Sequence, residues 1–315
     1  FFAQYVNTMF HPGFNLSLSR SLGFANVAFE RNGEREGVEE SVWSAQASMA
    51  FPIWSRIDNA ANFVVAYDIS RRRRTEPLFF EPLDANPVIP SQGRFSSVFM
   101  GINVSNVRSY TDSISSEKGA RLQLGVRLED PITGSEFQSL RLTGNFAAFV
   151  ENPLFERHVL ALEAFAGYGI SNYEERSLFG ISGLPATDLV LNILNLNFGA
   201  GSALRGFPLA PIVGDSIGEA HLEYRFPIWD VQRGVDTLPV FFGNLSAAPF
   251  VDAAVVADDP DNWFDEGNRF ASVGAELRLE LVIGYAVGTT LRAGYGRAVA
   301  GEDTQAAYLV FGGVF

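Results

Sequence analysis

Apolar and polar residues alternate one for one through long stretches of this chain, and no other feature narrows its possible folds as much. Arg121, Gln123, Gly125, Arg127 and Glu129 fall on one face of an extended segment; Leu122, Leu124, Val126 and Leu128 fall on the other. At 271–281, Ser272, Gly274, Glu276, Arg278 and Glu280 oppose Ala271, Val273, Ala275, Leu277, Leu279 and Leu281. At 221–228, His221, Glu223 and Arg225 oppose Leu222, Tyr224, Phe226 and Ile228. Segments 62–70, 96–105 and 138–148 behave alike. A period of two belongs to β-strands with two unlike faces, so the expected fold class is all-β. Two designs fit. A soluble sandwich turns the apolar face inward; a membrane barrel turns it out to lipid and encloses a polar lumen. Alternation alone does not choose between them.

Three further features favour a transmembrane antiparallel β-barrel. The segments are about 10–13 residues long, near the ~9–11 that a tilted strand needs to cross the hydrocarbon. Arginines recur on the polar faces (Arg121, Arg127, Arg141, Arg225, Arg278, Arg292), as a wet lumen tolerates. Aromatics gather at strand ends, at Trp43, Phe51 and Trp54, at Phe226 and Trp229, and at Tyr295; membrane barrels place their interfacial girdles there.

Composition agrees. Charged residues are 19% of the 315, below the ~25% of ordinary soluble domains. No run approaches the ~18–20 apolar residues of a spanning helix. The absence of cysteine excludes a disulfide framework and a thiolate metal site. A net charge of −13 leaves no basic surface for nucleic acid. Phe1 is not a start methionine and the first ten residues do not resemble a signal peptide. The expectation is one barrel domain over 1–315, with any N-terminal periplasmic domain missing from the chain.

Read back from the C-terminus, strands are expected near 305–315, 286–297, 270–282, 239–256, 216–228, 157–170, 137–150, 119–129, 94–105, 60–71 and 41–53. Residues 1–31 supply one long strand broken at Gly23 or shorter pieces, for 12 to 14 strands in all. Connections 171–215, 72–93 and 257–269 then fall outside the membrane, and the turns at 54–59, 151–156 and 283–285 on the periplasmic side. Connections 106–118 and 229–238 are the longer exceptions there. Phe51-Pro-Ile-Trp54 and Phe226-Pro-Ile-Trp229 repeat one tetrapeptide. Proline cannot donate to a ladder, so both are read as strand ends.

Several motifs occur in a fixed order. Leu204-Arg-Gly-Phe207 lies in the long 171–215 connection with five strands still to come. Leu222-Glu-Tyr-Arg-Phe-Pro227 follows, then Phe250-Val-Asp-Ala-Ala254, then Gly274-Ala-Glu-Leu-Arg278, and finally a terminal Phe315. This series resembles the BamA-type superfamily of outer-membrane barrels, which includes the bacterial surface antigens and TamA-like barrels. It covers 170–315 by motif and 1–170 by pattern only. Ala254 stands where the family has glycine, and Glu276 replaces the second glycine of a Gly-x-Gly-x-Arg pattern. The resemblance implies a barrel of 12–16 strands whose long outside loop folds into the lumen. It also implies a loop lock formed by Arg205, Gly206 and Phe207 with Asp252, and with Glu276 nearby. The implied activity is insertion or export of proteins through a seam between first and last strands. The implied partners are unfolded or exported protein clients, periplasmic or lipoprotein components, and outer-membrane lipid. A passive channel and a membrane anchor for a partner complex remain as alternatives.

Other residue groups have two readings each. Glu223, Arg225, Arg278 and Glu280 form either a lumenal ion network or a carboxylate pair for acid–base chemistry; the network is preferred. His11, His158 and His221 lie far apart in sequence, so no catalytic grouping, cofactor or metal is expected. The acidic stretch 258–266 is read as a solvated loop rather than a calcium site. Arg71, Arg72, Arg73 and Arg74 follow an ascending strand and either hold lipopolysaccharide phosphates or lie in solvent. Phe311, Gly312, Gly313 and Phe315 make the last strand either one side of a weak seam or an ordinary terminus, glycine packing poorly in strands.

Overall fold

In the computed structural model the described residues are all but 8–11, 25–28, 32–33, 37–38, 75–90, 111, 174–176, 182–203, 208–211, 237, 285–286 and 313–315. Seventeen strands occur among them: β1 (Phe2–Asn7), β2 (Gly13–Phe24), β3 (Phe29–Arg31), β4 (Glu34–Glu36), β5 (Glu39–Arg56), β6 (Asn59–Arg74), β7 (Gly93–Ser105), β8 (Gly119–Glu129), β9 (Ser139–Glu151), β10 (Val159–Ser171), β11 (Phe179–Ile181), β12 (Ile212–Gly214), β13 (Ser216–Val235), β14 (Leu238–Ala257), β15 (Arg269–Ile283), β16 (Val287–Ala300) and β17 (Gln305–Gly312). Thirteen join one sheet in the order β1-β2-β5-β6-β7-β8-β9-β10-β13-β14-β15-β16-β17. Each neighbouring pair in this sheet is antiparallel. β3–β4 and β11–β12 are separate two-stranded antiparallel sheets in the outside connections.

The direction of the faces decides between the two designs. Leu122, Leu124, Val126 and Leu128 are all exposed, Leu124 at 53%. Leu222, Val251, Val273, Leu277 and Leu309 are exposed as well, while Glu223, Asp252 and Glu276 are buried. A soluble sandwich would reverse this. The apolar side is the outer surface of a membrane barrel and the polar side is its lumen.

The lumen holds the main apolar cluster. Leu178 and Phe179 enter from the 171–215 connection with Ile181, Leu204 and Phe207, and pack on Ile217, Ala254, Val256, Phe270 and Ala298 of the wall. Glycines make room for them. A Cβ at Gly167 would stand 2.5 Å from the Phe179 ring, and one at Gly169 would overlap Leu178.

The strand plan needs correcting in three places. Residues 1–31 give β1 and β2 to the barrel sheet, and β2 runs through Gly23 without a break. The two Phe-Pro-Ile-Trp segments do not end their strands. The ladder shifts register between Pro52 and Trp54 and between Pro227 and Trp229, then continues. Each proline keeps its place opposite the partner strand, and the residue after it, Ile53 or Ile228, is the one the bulge takes up. For the same reason 229–238 is no loop: β13 and β14 extend through it as 20-residue strands.

Two outside turns fold back over the outer wall. In the turn Pro131–Thr133, capped by Asp130, the Thr133 carbonyl accepts from Tyr67 Oη at 2.9 Å and Ser96 Oγ at 2.6 Å. After the turn Pro260–Asn262, the Trp263 indole N–H donates to Ser216 Oγ at 2.9 Å.

Candidate functional site

The Arg-Gly-Phe turn meets the wall on the lumenal face of β13 to β16. Alternation puts Glu223 and Arg225 on β13, Asp252 on β14, Glu276 and Arg278 on β15 and Arg292 on β16 all on that face. Arg205 binds Asp252 in a two-pronged geometry: Nε donates to Oδ2 at 2.7 Å and Nη2 to Oδ1 at 2.5 Å. Its Nη1 donates to Glu223 Oε1 at 2.5 Å. The guanidinium also lies 3.6 Å from the centre of the Phe250 ring. Parallel charge-assisted bonds of this kind are strong and fix orientation, and an aromatic face adds attraction to the cation. Arg205 is 4% exposed and Asp252 0%, so water screens the pair little.

Gly206 is required by both conformation and space. Its φ is +91°, where L-residues are strained. It also lies against a second glycine, Gly296 on β16; a Cβ on either would approach the other's backbone region at 2.9 Å. Thr304 Oγ1 donates to the Gly206 carbonyl at 3.1 Å. Phe207 packs edge-on against Phe270, with ring centres 5.8 Å apart. Each letter of the motif therefore has its own receptor on the wall.

From Arg205 the ion pairs continue sideways. Glu223 also accepts from Arg225 Nε at 2.7 Å and from Arg278 Nη2 at 2.9 Å. Arg278 Nε donates to Glu276 Oε1 at 2.5 Å. Glu276 accepts from Arg292 Nε at 2.8 Å and from the Tyr308 hydroxyl of β17 at 2.7 Å. A continuous line of contacts thus joins the loop to the last strand of the sheet.

Two expected members are placed differently. Glu276 does not touch Arg205; it is reached only through Arg278 and Glu223, because it sits one strand further round the wall. Glu280 lies outside the arginine network and accepts from Asn244 N and Nδ2 at 3.2 and 3.1 Å. Three participants were not anticipated. His221 Nδ1 lies 3.0 Å from Asp252 Oδ1, Tyr308 ends the line, and Gly296 receives the loop. Gly294 and Gly296, alternate residues on the polar face of β16, were the signal for the last.

The arginine run divides by pleat. Arg72 faces the lumen, its guanidinium 5.1 Å from the centre of the Phe95 ring and Nη1 3.9 Å from Glu40. Arg71 and Arg73 face outward; the side chains of Arg74 and Phe311 lie outside the described residues, as do the whole of Gly313 and Phe315, and Gly312 is the last residue of β17. Near Arg72, Tyr173 bonds to Glu129 beyond the end of β10. Burial and the neighbouring carboxylate push its phenol up to about 12.

No protein-family model and no curated protein sequence matches the chain. Solved structures do. CdiB from Escherichia coli matches with a TM-score of 0.61 at 13% identity, over 98% of this chain and 51% of that one. BamA from Haemophilus ducreyi lacking POTRA domains 1–3 matches with 0.60 at 16%, over 99% of this chain and 61% of the other. CdiB from Acinetobacter baumannii matches with 0.60 at 11%, over 98% and 49%. The chain therefore spans between about half and three-fifths of the solved chains it resembles. With apolar residues outward, a charged lumen and a loop held inside it, the chain has the fold of the BamA-type outer-membrane barrels.

Proposed function

We propose that this chain is the outer-membrane barrel of a protein insertase or translocase, and that its lumenal loop and the edge strand β17 move together. The observation that carries the reading is the unbroken line from Arg205 through Glu223, Arg278 and Glu276 to Tyr308. A plug needs only to be held. A line that ends on an edge strand also transmits the state of the plug to that strand. β1 and β17 are the two ends of the sheet, with no pairing between them among the described residues. An edge strand offers free backbone donors and acceptors, on which an incoming strand can template by augmentation. No bond is made or broken in this mechanism, so no residue is given a catalytic role.

The test is a client-folding assay. Liposomes carrying the folded barrel should speed insertion of an unrelated denatured outer-membrane barrel relative to empty liposomes. Tyr308→Phe cuts the line at its last link while leaving Arg205 and Asp252 intact, and should reduce that acceleration. Wild-type liposomes no faster than empty ones would defeat the proposal. A channel is the second reading, favoured by Arg121, Arg127 and Arg141 on the polar face; it predicts steady conductance in planar bilayers that rises in Arg205→Ala.

A further inference from the structure

The outer wall bears a second group of cations, facing away from the lumen. Cross-strand register aligns Arg20 on β2, Trp43 on β5, Arg71 on β6 and Arg94 on β7 in a single row. Paired residues share a face, and this face also carries the exposed Leu16, Leu18, Met49 and Met100. It is the lipid-facing side. Arg73 sits one pleat repeat beyond Arg71, and all four arginines are exposed.

The row is partly fixed in place. The Arg20 guanidinium lies 5.0 Å from the centre of the Trp43 ring, and Arg94 Nε donates to the Gly134 carbonyl at 2.6 Å. Among the described residues no carboxylate lies within ion-pair distance of Arg20, Arg71 or Arg94. Beside the row is an open groove of about 400 Å³, lined by Leu18, Ala45 and Ile69 with Trp43, Arg71 and Arg94, and with Glu136 also on its lining.

These features ask for a ligand with two chemistries. Exposed guanidinium groups without acidic partners, level with a girdle tryptophan, suit phosphate. Adjacent strands lie ~4.8 Å apart, so the row spans roughly 14 Å, enough for more than one phosphate oxygen cluster. Below it the wall is apolar, suiting acyl chains. We propose that Arg20, Arg71 and Arg94, with their groove, bind the phosphorylated headgroup of an acylated lipid in the outer leaflet. Arg72, although within the arginine run, serves the lumen and has no part in this site. The proposal rests on the membrane-spanning fold and not on protein insertion.

Binding of fluorescent diphosphoryl lipid A to the barrel folded in detergent tests it. The triple variant Arg20→Gln, Arg71→Gln, Arg94→Gln should lose affinity by at least about tenfold, roughly one decade per 1.4 kcal/mol, with heat-modifiable gel migration unchanged. Arg71→Gln alone removes a side chain with no hydrogen-bond or ion-pair partner among the described residues and should give an intermediate loss; it decides the matter if the triple variant fails to fold. Excess inorganic phosphate should not compete. Equal lipid A binding by wild type and Arg71→Gln, or displacement of lipid A by inorganic phosphate at like concentration, would overturn the proposal.

Discussion

Arg205 is a single side chain on which an entire loop depends. Replacing it with alanine leaves Asp252 buried with His221 and the backbone N–H of residue 205 as its remaining close partners. Breaking a buried pair in this way costs about 3–5 kcal/mol. The strands do not rely on that pair, so Arg205→Ala should keep a heat-modifiable barrel while protease cleaves 171–215 much faster. Cleavage at the wild-type rate would show that the contact does not hold the loop. Arg205→Lys keeps the charge but loses the planar fork and should fall between. Gly296→Val tests the steric half of the same joint: it leaves every charge in place and should release the loop because its side chain meets the Gly206 backbone. The pairing of Arg205 with Asp252 was legible because both sit in motifs with recognisable neighbours. The position of Glu276 one pair further on was not, since only the strand register decides which carboxylate an arginine reaches. His221 looked isolated for the same reason: its partner Asp252 lies 31 residues away along the chain but directly across the ladder.

Strands and loops follow sequence patterns less faithfully at their ends than in their middles. The alternating cores of β8, β13 and β15 were plain from period two, but proline misled. A proline can end a strand or sit within a ladder that continues, as Pro52, Pro227 and Pro249 do, and the choice depends on the partner strand. The inner loop was legible as a loop, not as a packed body. Its Leu178 and Phe179 are ordinary apolar residues until Gly169 and Gly167 are seen opposite them. Gly167→Val with Gly169→Val should therefore dislodge β11 and β12 while sparing Arg205. Hydrogen exchange at Phe179–Ile181 should then quicken by about tenfold or more, local openings having their own free energies. Unchanged protection there would mean that the glycines are not what seats the loop.

Across the whole molecule, alternation announced two faces and left open which was wet. The girdle aromatics and strand lengths tipped the balance toward a barrel, and the exposed leucines agree with it. Neighbouring residues on β8 offer a direct comparison. Leu124→Arg puts a charge on the lipid face near mid-strand and should destabilise folding into vesicles by about 2–4 kcal/mol. Gln123→Arg, pointing into the lumen, should be nearly silent. Urea titration in vesicles reads both, and equal effects would contradict the assigned faces. The strand total carries one more implication. Among the described residues the sheet has thirteen strands, an odd number, so with every neighbouring pair antiparallel β1 and β17 run in the same direction. They can meet only as a parallel pair, with slanted hydrogen bonds, or with one further strand between them running opposite to both. A strand seated between them would therefore have a prescribed polarity. Since the chain has no cysteine of its own, a scan of engineered pairs along the two edges can establish whether they meet directly or through such a strand.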